Sequence, residues 1–366
     1  MTTPALLTPV RLGALQLQHR VVMAPLSRRR AAQPGDVPQP MHATYYGQRA
    51  HPGGLLITEA TDIVESARGY PGAPGIYSAP QLAAWKVVTE AVHAKGGLIV
   101  MQLWHTGRIS HSSMQVGGAL PVAPSAIAAR GKHVTAQGQP TAFEVPRALD
   151  LAEIPTVIMQ FTQAVKNAQE AGFDGVELHA ANGYLINQFM EDGTNQRIDR
   201  YGGSIENRVR LLLEIIDSAS AAWSADRIGV RLSPGGSFND MKDSDPVALY
   251  DYVVTHLSNR GLAYIHVIEP RESADTPEGT ATSDLAAKLR AEFLGPVIAA
   301  GGFDQISATK AIEAEHADAV AFGRAYIANP DLVERFRLGA PLNAYDRRTF
   351  YGGDERGYTD YPTLSV

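Results

Sequence analysis

Gly175-Val176-Glu177-Leu178-His179-Ala180-Ala181-Asn182-Gly183-Tyr184 starts as a short apolar run and ends in polar side chains and a glycine. A run such as Gly175 to Leu178, with little polar alternation, suits a parallel strand buried on both faces. Seven more runs of this kind flank it: Val21 to Ala24, Leu55 to Thr58, Leu98 to Gln102, Ile228 to Leu232, Tyr264 to Ile268, Pro296 to Ala299 and Ala319 to Phe322. Helical patterns lie between them. Met41 to Arg49 follows the first, Ser78 with Gln81 forms a capping box ahead of Trp85, Val88 and Val92, and Ile154, Val157, Ile158, Phe161 and Val165 recur at helical spacing. Ser204 caps a run to about Trp223, Asp245-Pro246 opens another, and Ser283, Asp304 and Asn329-Pro330 stand at N-cap positions. Strand and helix thus alternate eight times, which fits a closed (β/α)8 TIM barrel of the α/β class better than an open doubly wound sheet. No composition shift marks a linker, so residues 1–366 are expected to form a single domain. Met1 to His19 reads as a hairpin under the barrel, and Thr106 to Asp150 as a long capping insertion after the third strand.

The formal net charge of -6 and the 19% charged content leave no electrostatic footprint for nucleic acid. Arg28-Arg29-Arg30 is the only basic triplet and is read as a solvated loop rather than a polyanion site. No apolar stretch is long enough for a membrane span and Met1 to Val10 lacks a leader pattern, so a cytoplasmic protein without a membrane partner is expected. With zero cysteines there are no disulfides, thiolate zinc sites, iron–sulfur clusters or thiol nucleophiles.

Barrel active sites are built at the C-terminal ends of the strands, and the unusual polar residues gather there. Pro25-Leu26-Ser27-Arg28 follows the first strand, Glu59-Ala60 the second, and Gln102-Leu103-Trp104-His105 ends the third. Arg231 lies near the end of the fifth, Gly301-Gly302 after the seventh and Gly323-Arg324 after the eighth. Together the glycine pair and the Gly-Arg suit a phosphate, through close backbone N–H groups and a guanidinium fork; either alone is equally well a tight turn. His179 and Asn182, three apart, would face the same way on a turn or first helical coil and offer two donors to one oxygen, with the Tyr184 phenol nearby. A polar cluster closing the fourth strand is the plainer alternative. A metal-dependent hydrolase would need converging ligands, and His105 and His179 are the only strand-end histidines, so no metal is expected. No lysine lies in any of the eight runs, which removes Schiff-base chemistry.

The chain resembles the Old Yellow Enzyme family, in particular its N-ethylmaleimide reductase and pentaerythritol tetranitrate reductase branch. The segments that carry the resemblance are Ala24-Pro25-Leu26-Ser27-Arg28, Ile57-Thr58-Glu59-Ala60-Thr61, Gln102 to Arg108, His179 to Leu185, Tyr201 to Arg208, Ala321 to Arg324 and Gly357 to Pro362. The resemblance implies FMN, with Pro25, Ser27, Ala60, Gln102 and Arg231 around the isoalloxazine and Gly301, Gly302, Gly323 and Arg324 around the phosphate. Ser27 stands where this branch usually has threonine. By the same resemblance His179 and Asn182 hold the substrate's carbonyl or nitro oxygen, Tyr184 delivers a proton to the α-carbon, and Tyr70, Trp104 and Tyr351 line the substrate pocket. The implied activity is ping-pong reduction of activated alkenes (enones, maleimides, nitroalkenes) with NADPH or NADH as donor, hydride passing from flavin N5 to the β-carbon. Reductive denitration of nitrate esters or nitroaromatic reduction at the same site is the alternative, and a catalytically silent flavin-binding barrel is a third reading. Small-molecule partners are expected, with the chain a monomer or weak homodimer.

Overall fold

A computed structural model describes residues 3–269 and 285–364. Eight parallel strands form the barrel: β1 (Val21–Met23), β2 (Leu55–Ile57), β3 (Leu98–Trp104), β4 (Gly175–Ala180), β5 (Ile228–Leu232), β6 (Tyr264–Ile268), β7 (Val297–Ala300) and β8 (Ala319–Phe322). Each pairs with the next in sequence, and β8 pairs with β1 through Val320↔Val21, so the sheet closes. The expected barrel is the observed one.

The continuous apolar runs are explained by two hydrophobic layers. Residues that alternate along a strand point to opposite faces, and here both faces are dry. Val21, Met23, Leu56, Met101, Leu178, Val230 and Val267 pack outward in the large core with the helices. Val22, Leu55, Ile57, Val100, Ile298 and Ala319 form a second cluster, joined by Leu12, Leu15 and Leu17 of an antiparallel hairpin (Val10–Leu12 with Leu15–Leu17). The hairpin is therefore the floor of the barrel, as its sequence suggested. Its turn needs glycine: Gly13 has φ 57, and a Cβ there would lie 2.2 Å from the Asp226 carbonyl oxygen.

The outer helices are α1 (Pro40–Arg49), α2 (Ala79–His93), α3 (Ile154–Glu170), α4 (Ile205–Ala222), α5 (Pro246–Ser258), α6 (Leu285–Glu292), α7 (Gln305–Glu313) and α8 (Leu332–Leu338). The expected caps at Ser78, Ser204, Asp245 and Asp304 are present; Ser78 N–H donates to Gln81 Oε1 at 3.0 Å and Asp245 accepts from Ala248 N–H at 3.0 Å. Asn329-Pro330 does not cap the last helix. Asp331 stands at its N-cap, while Asn329 closes a short helix, Arg324–Ala328, that sequence reading missed. The Ser283 cap lies outside the described residues. In the insertion after β3, Lys132–Val134 pairs with Pro140–Ala142 as a hairpin and Val122–Ala123 pairs with Arg147–Ala148. Among the described residues no helix is long and apolar enough to cross a membrane.

Candidate active site

Toward the C-terminal face, the inward positions of β3 to β6 turn from apolar to polar. Parallel register sets Gln102 beside Glu177, His179 beside Arg231, and Arg231 beside His266. Glu177 is fully buried; its Oε1 accepts from Gln102 Nε2 at 2.7 Å and its Oε2 from His266 Nδ1 at 2.8 Å. Burial works against the Glu177 carboxylate, but His266, the Arg231 charge and the Gln102 amide outweigh it and hold its pKa below the usual value. Burial also lowers the pKa of His266. The pair is thus a neutral imidazole donating to a carboxylate, and it fixes the Gln102 side chain.

Above this layer four rings meet. The Trp104 ring stacks with Tyr70 at 5.9 Å and with His179 at 6.2 Å between centroids, and Tyr184 sits edge-on to Trp104 at 4.7 Å and to His179 at 4.9 Å. His179 is buried and its Nδ1 has no partner among the described residues. Burial, with Arg231 and His266 close by, drives its pKa well below the usual histidine value, so the ring stays neutral. Burial drives the Tyr184 phenol well up, and its hydrogen bond with Tyr70 acts the same way. The site therefore presents a neutral N–H donor and a firmly protonated phenol against the same indole.

His179 is not on a turn, as its spacing to Asn182 suggested; it belongs to β4. The ladder pairs Leu178 with Leu103 and His179 with Arg231, so the strand continues past the end of its apolar run. Asn182 is held separately, in a left-handed turn with φ 57. Its N–H donates to Ser233 Oγ at 2.8 Å and its carbonyl oxygen accepts from Asn239 Nδ2 at 2.8 Å. Helical spacing is therefore not what places this pair. Tyr184 is the N-cap of a short buried helix, Leu185–Met190.

Gly301 and Gly302 follow β7 with φ 116 and 82, conformations open to glycine. Gly323 precedes the Arg324–Ala328 helix, and Arg324 Nη1 donates to Tyr345 Oη at 3.3 Å. Adjacent strands β7 and β8 bring Gly301-Gly302 and Gly323-Arg324 to one rim, where backbone N–H groups and a guanidinium could hold a phosphate. Pro25 and Ala60 are buried at the ends of β1 and β2, with Ser27 half-buried beyond.

The reading of Arg28-Arg29-Arg30 as a solvated loop is overturned. Arg28 is 0% and Arg30 3% exposed. Arg28 donates to the carbonyl oxygens of Phe350 at 2.9 Å and Gly357 at 2.8 Å and to Tyr45 Oη at 3.0 Å, fastening the C-terminal segment to the barrel mouth. Tyr351 rides on that segment, 63% exposed, with the Arg29 guanidinium carbon 6.0 Å from its ring centroid. Two further residues escaped sequence reading. Arg108 donates to the carbonyl oxygens of Ile127 (3.2 Å), Asn239 (3.0 Å) and Asp240 (2.9 Å), tying the β3 insertion to the loop after β5. Gln188 accepts from Arg108 N–H at 3.1 Å and donates to the Gly183 carbonyl oxygen at 2.7 Å, tying both to the Tyr184 turn. The loop after β6, Glu269 to Thr282, lies almost wholly outside the described residues. Among the described residues no cluster could hold a metal ion.

A family model described as the NADH:flavin oxidoreductase / NADH oxidase family matches residues 5–343. 12-Oxophytodienoate reductase 1 of Oryza sativa subsp. japonica is 49% identical over 361 residues, 98% of this chain and 93% of that protein. 12-Oxophytodienoate reductase 2 of Arabidopsis thaliana is 45% identical, covering 98% of this chain and 96% of that protein. A solved structure of morphinone reductase superposes with a TM-score of 0.93 at 48% identity, covering 99% of this chain and 97% of that one. Another, of morphinone reductase in complex with tetrahydroNAD, gives 0.92.

Proposed function

Because the chain belongs to the NADH:flavin oxidoreductase / NADH oxidase family, that of Old Yellow Enzyme, we propose that it reduces the C=C bond of α,β-unsaturated carbonyl compounds. Maleimides and nitroalkenes share the activated bond and an oxygen to be held, and fall in the same class. The observation that carries the reading is the pairing of a neutral, buried His179 with a protonated Tyr184, their rings 4.9 Å apart. Relatives named as reductases of 12-oxophytodienoate and of morphinone support a carbonyl-bearing substrate.

The residues present fit FMN: the left-handed Gly301 and Gly302 with Gly323 and Arg324 suit its phosphate, and Gln102 and Arg231 its polar pyrimidine edge. Pro25, Ser27 and Ala60, at the ends of β1 and β2, would flank the ring. When bound, FMN supplies two-electron chemistry between a reduced nicotinamide coenzyme and the alkene. His179 and Asn182 donate to the substrate oxygen and stabilise the negative charge that grows there as the β-carbon is reduced. A neutral imidazole keeps its proton for that bond. Tyr184 gives its proton to the α-carbon; a phenol with a raised pKa is a weak acid, suited to a carbanion-like centre and not to early loss. Tyr70, Trp104 and Tyr351 form the walls.

The test is anaerobic turnover of 2-cyclohexenone by purified protein titrated with FMN and supplied with NADPH or NADH, with identification of the product. Saturated ketone formation that depends on His179 and Asn182 supports the reading. A protein that binds no FMN, or binds it and leaves the enone untouched, refutes it.

A further inference from the structure

A cavity of about 460 Å3 opens beside Tyr70, between the loop after β1, the Lys132–Val134 hairpin and the loop after β5. Arg29, Arg130 and Lys132 line it against a single carboxylate, Asp240, with Phe143 and Phe238 as apolar wall. His133, also in the lining, is kept neutral near pH 7 by burial, which lowers its pKa to about 4. Arg130 and Asp240 neutralise each other across 2.6 Å. The charge left over is that of Arg29, with the exposed Lys132 at the rim.

Arg29 is held in place from several sides. Its backbone is left-handed at φ 58, a region that non-glycine residues seldom occupy and that recurs at functional sites. Its N–H donates to the buried Glu59 Oε2 at 3.0 Å, and Gly72 packs so closely that a Cβ there would lie 2.4 Å from the Arg29 carbonyl oxygen. The side chain is fixed by Nε donating to the Pro71 carbonyl oxygen at 3.0 Å, with its guanidinium carbon 5.3 Å from the Tyr70 ring centroid. Among the described residues its two terminal nitrogens have no hydrogen-bond partner and the guanidinium has no ion pair. Glu59 does not serve, since its carboxylate is engaged by the backbone of Arg28 and Arg29 and lies against His42.

A half-buried guanidinium fork between aromatic rings, with no anion at it among the described residues, is built to take one. The Tyr70 ring that the guanidinium faces bonds through its phenol to that of Tyr184. Resting on the function proposed above, we propose that Arg29 is a specificity-determining residue, holding an anionic group carried by the substrate, so that the preferred alkene bears a carboxylate. A phosphate of the coenzyme has the same chemistry, and the experiment separates the two sources.

The probes are a cyclopent-2-enone carrying a carboxypentyl chain and its methyl ester, assayed with the FMN-loaded enzyme. Wild type should prefer the acid, and in Arg29→Met the acid-over-ester ratio of kcat/KM should fall about ten- to hundredfold, the scale of a hydrogen bond to a charged group. Arg29→Lys should restore part of it. Calorimetric binding of the saturated acid should weaken in step, and in wild type the acid preference should decline with added salt, a readout that holds even if the variants fold poorly. A wild-type ratio near unity, or a ratio untouched by Arg29→Met, overturns the inference. So does a loss confined to the KM of NADH or NADPH, which assigns Arg29 to the coenzyme. Failure of wild type to reduce 2-cyclohexenone refutes the underlying ene-reductase reading instead.

Discussion

Replacing Glu177 with leucine tests the polar layer that underlies the site. The residue is fully buried and serves two donors, Gln102 Nε2 at 2.7 Å and His266 Nδ1 at 2.8 Å. Glu177→Leu strands both, and each unpaired buried donor costs about 1 to 3 kcal/mol. The imidazole left behind is neutral, so the loss is that of the two donors, about 2 to 6 kcal/mol. Glu177→Leu with His266→Leu should recover part of that loss, because no unpaired Nδ1 remains. Urea unfolding followed by far-UV circular dichroism at fixed excess FMN measures wild type, His266→Leu alone and the two proteins that carry Glu177→Leu. FMN affinity, read by flavin fluorescence, should fall in both, since Gln102 loses its anchor. If the single variant is as stable as wild type, or the double loses the sum of its two singles, the pair is not coupled as described.

Arg108→Met removes three bonds to loop carbonyls, so the β3 insertion and the loop after β5 should part more easily. The KM for a cyclic enone should rise about tenfold, and limited proteolysis should cut within residues 106–150 sooner than in wild type; an unchanged KM and digestion pattern would remove Arg108 from the account. Stability should also depend on pH through His42 and His105, whose pKa values burial lowers from 6.5 to about 4. A depressed folded-state pKa gives stability that is present above 6.5 and lost as pH falls toward 4, at about 3 kcal/mol for each residue. Urea midpoints should be level above pH 6.5 and decline below it, with a shallower decline in His105→Gln; a midpoint that does not move over this window contradicts the assignment.

The barrel was readable because its strands begin apolar on both faces, and the strand ends were hidden because the apolar run stops before the ladder does. Trp104 and His179 look like loop residues once the apolar run stops, yet the ladder continues through them. Polarity marks the side of the barrel that carries chemistry, and hydrogen bonding marks the end of the strand. His179 and Tyr184 were marked by their place at the end of a strand, Trp104 and Tyr70 as pocket walls by resemblance, and the four rings meet in space. Arg28 was misread because the carbonyl oxygens that take its charge, at Phe350 and Gly357, lie more than 300 residues away in the chain. Asn239, Ser233 and Arg108 were missed for the same reason: a loop asparagine, serine or arginine has no local pattern, and its partner is set by how the β3 and β5 loops fold back over the barrel mouth.

The central claim, that Tyr184 protonates an alkene whose oxygen is held by His179 and Asn182, is met most directly by rapid-mixing measurement of both half-reactions in Tyr184→Phe. Reduction of the FMN-loaded enzyme by the nicotinamide coenzyme requires no proton from this phenol, so its rate should be nearly that of wild type. Reaction of the reduced enzyme with 2-cyclohexenone should slow by about 10² to 10⁴, the range for loss of a general acid. Equal slowing of the two steps would make Tyr184 a structural residue, as its contacts with Trp104, Tyr70 and His179 would then explain, and an unchanged enone step would assign the proton to another donor and contradict the mechanism.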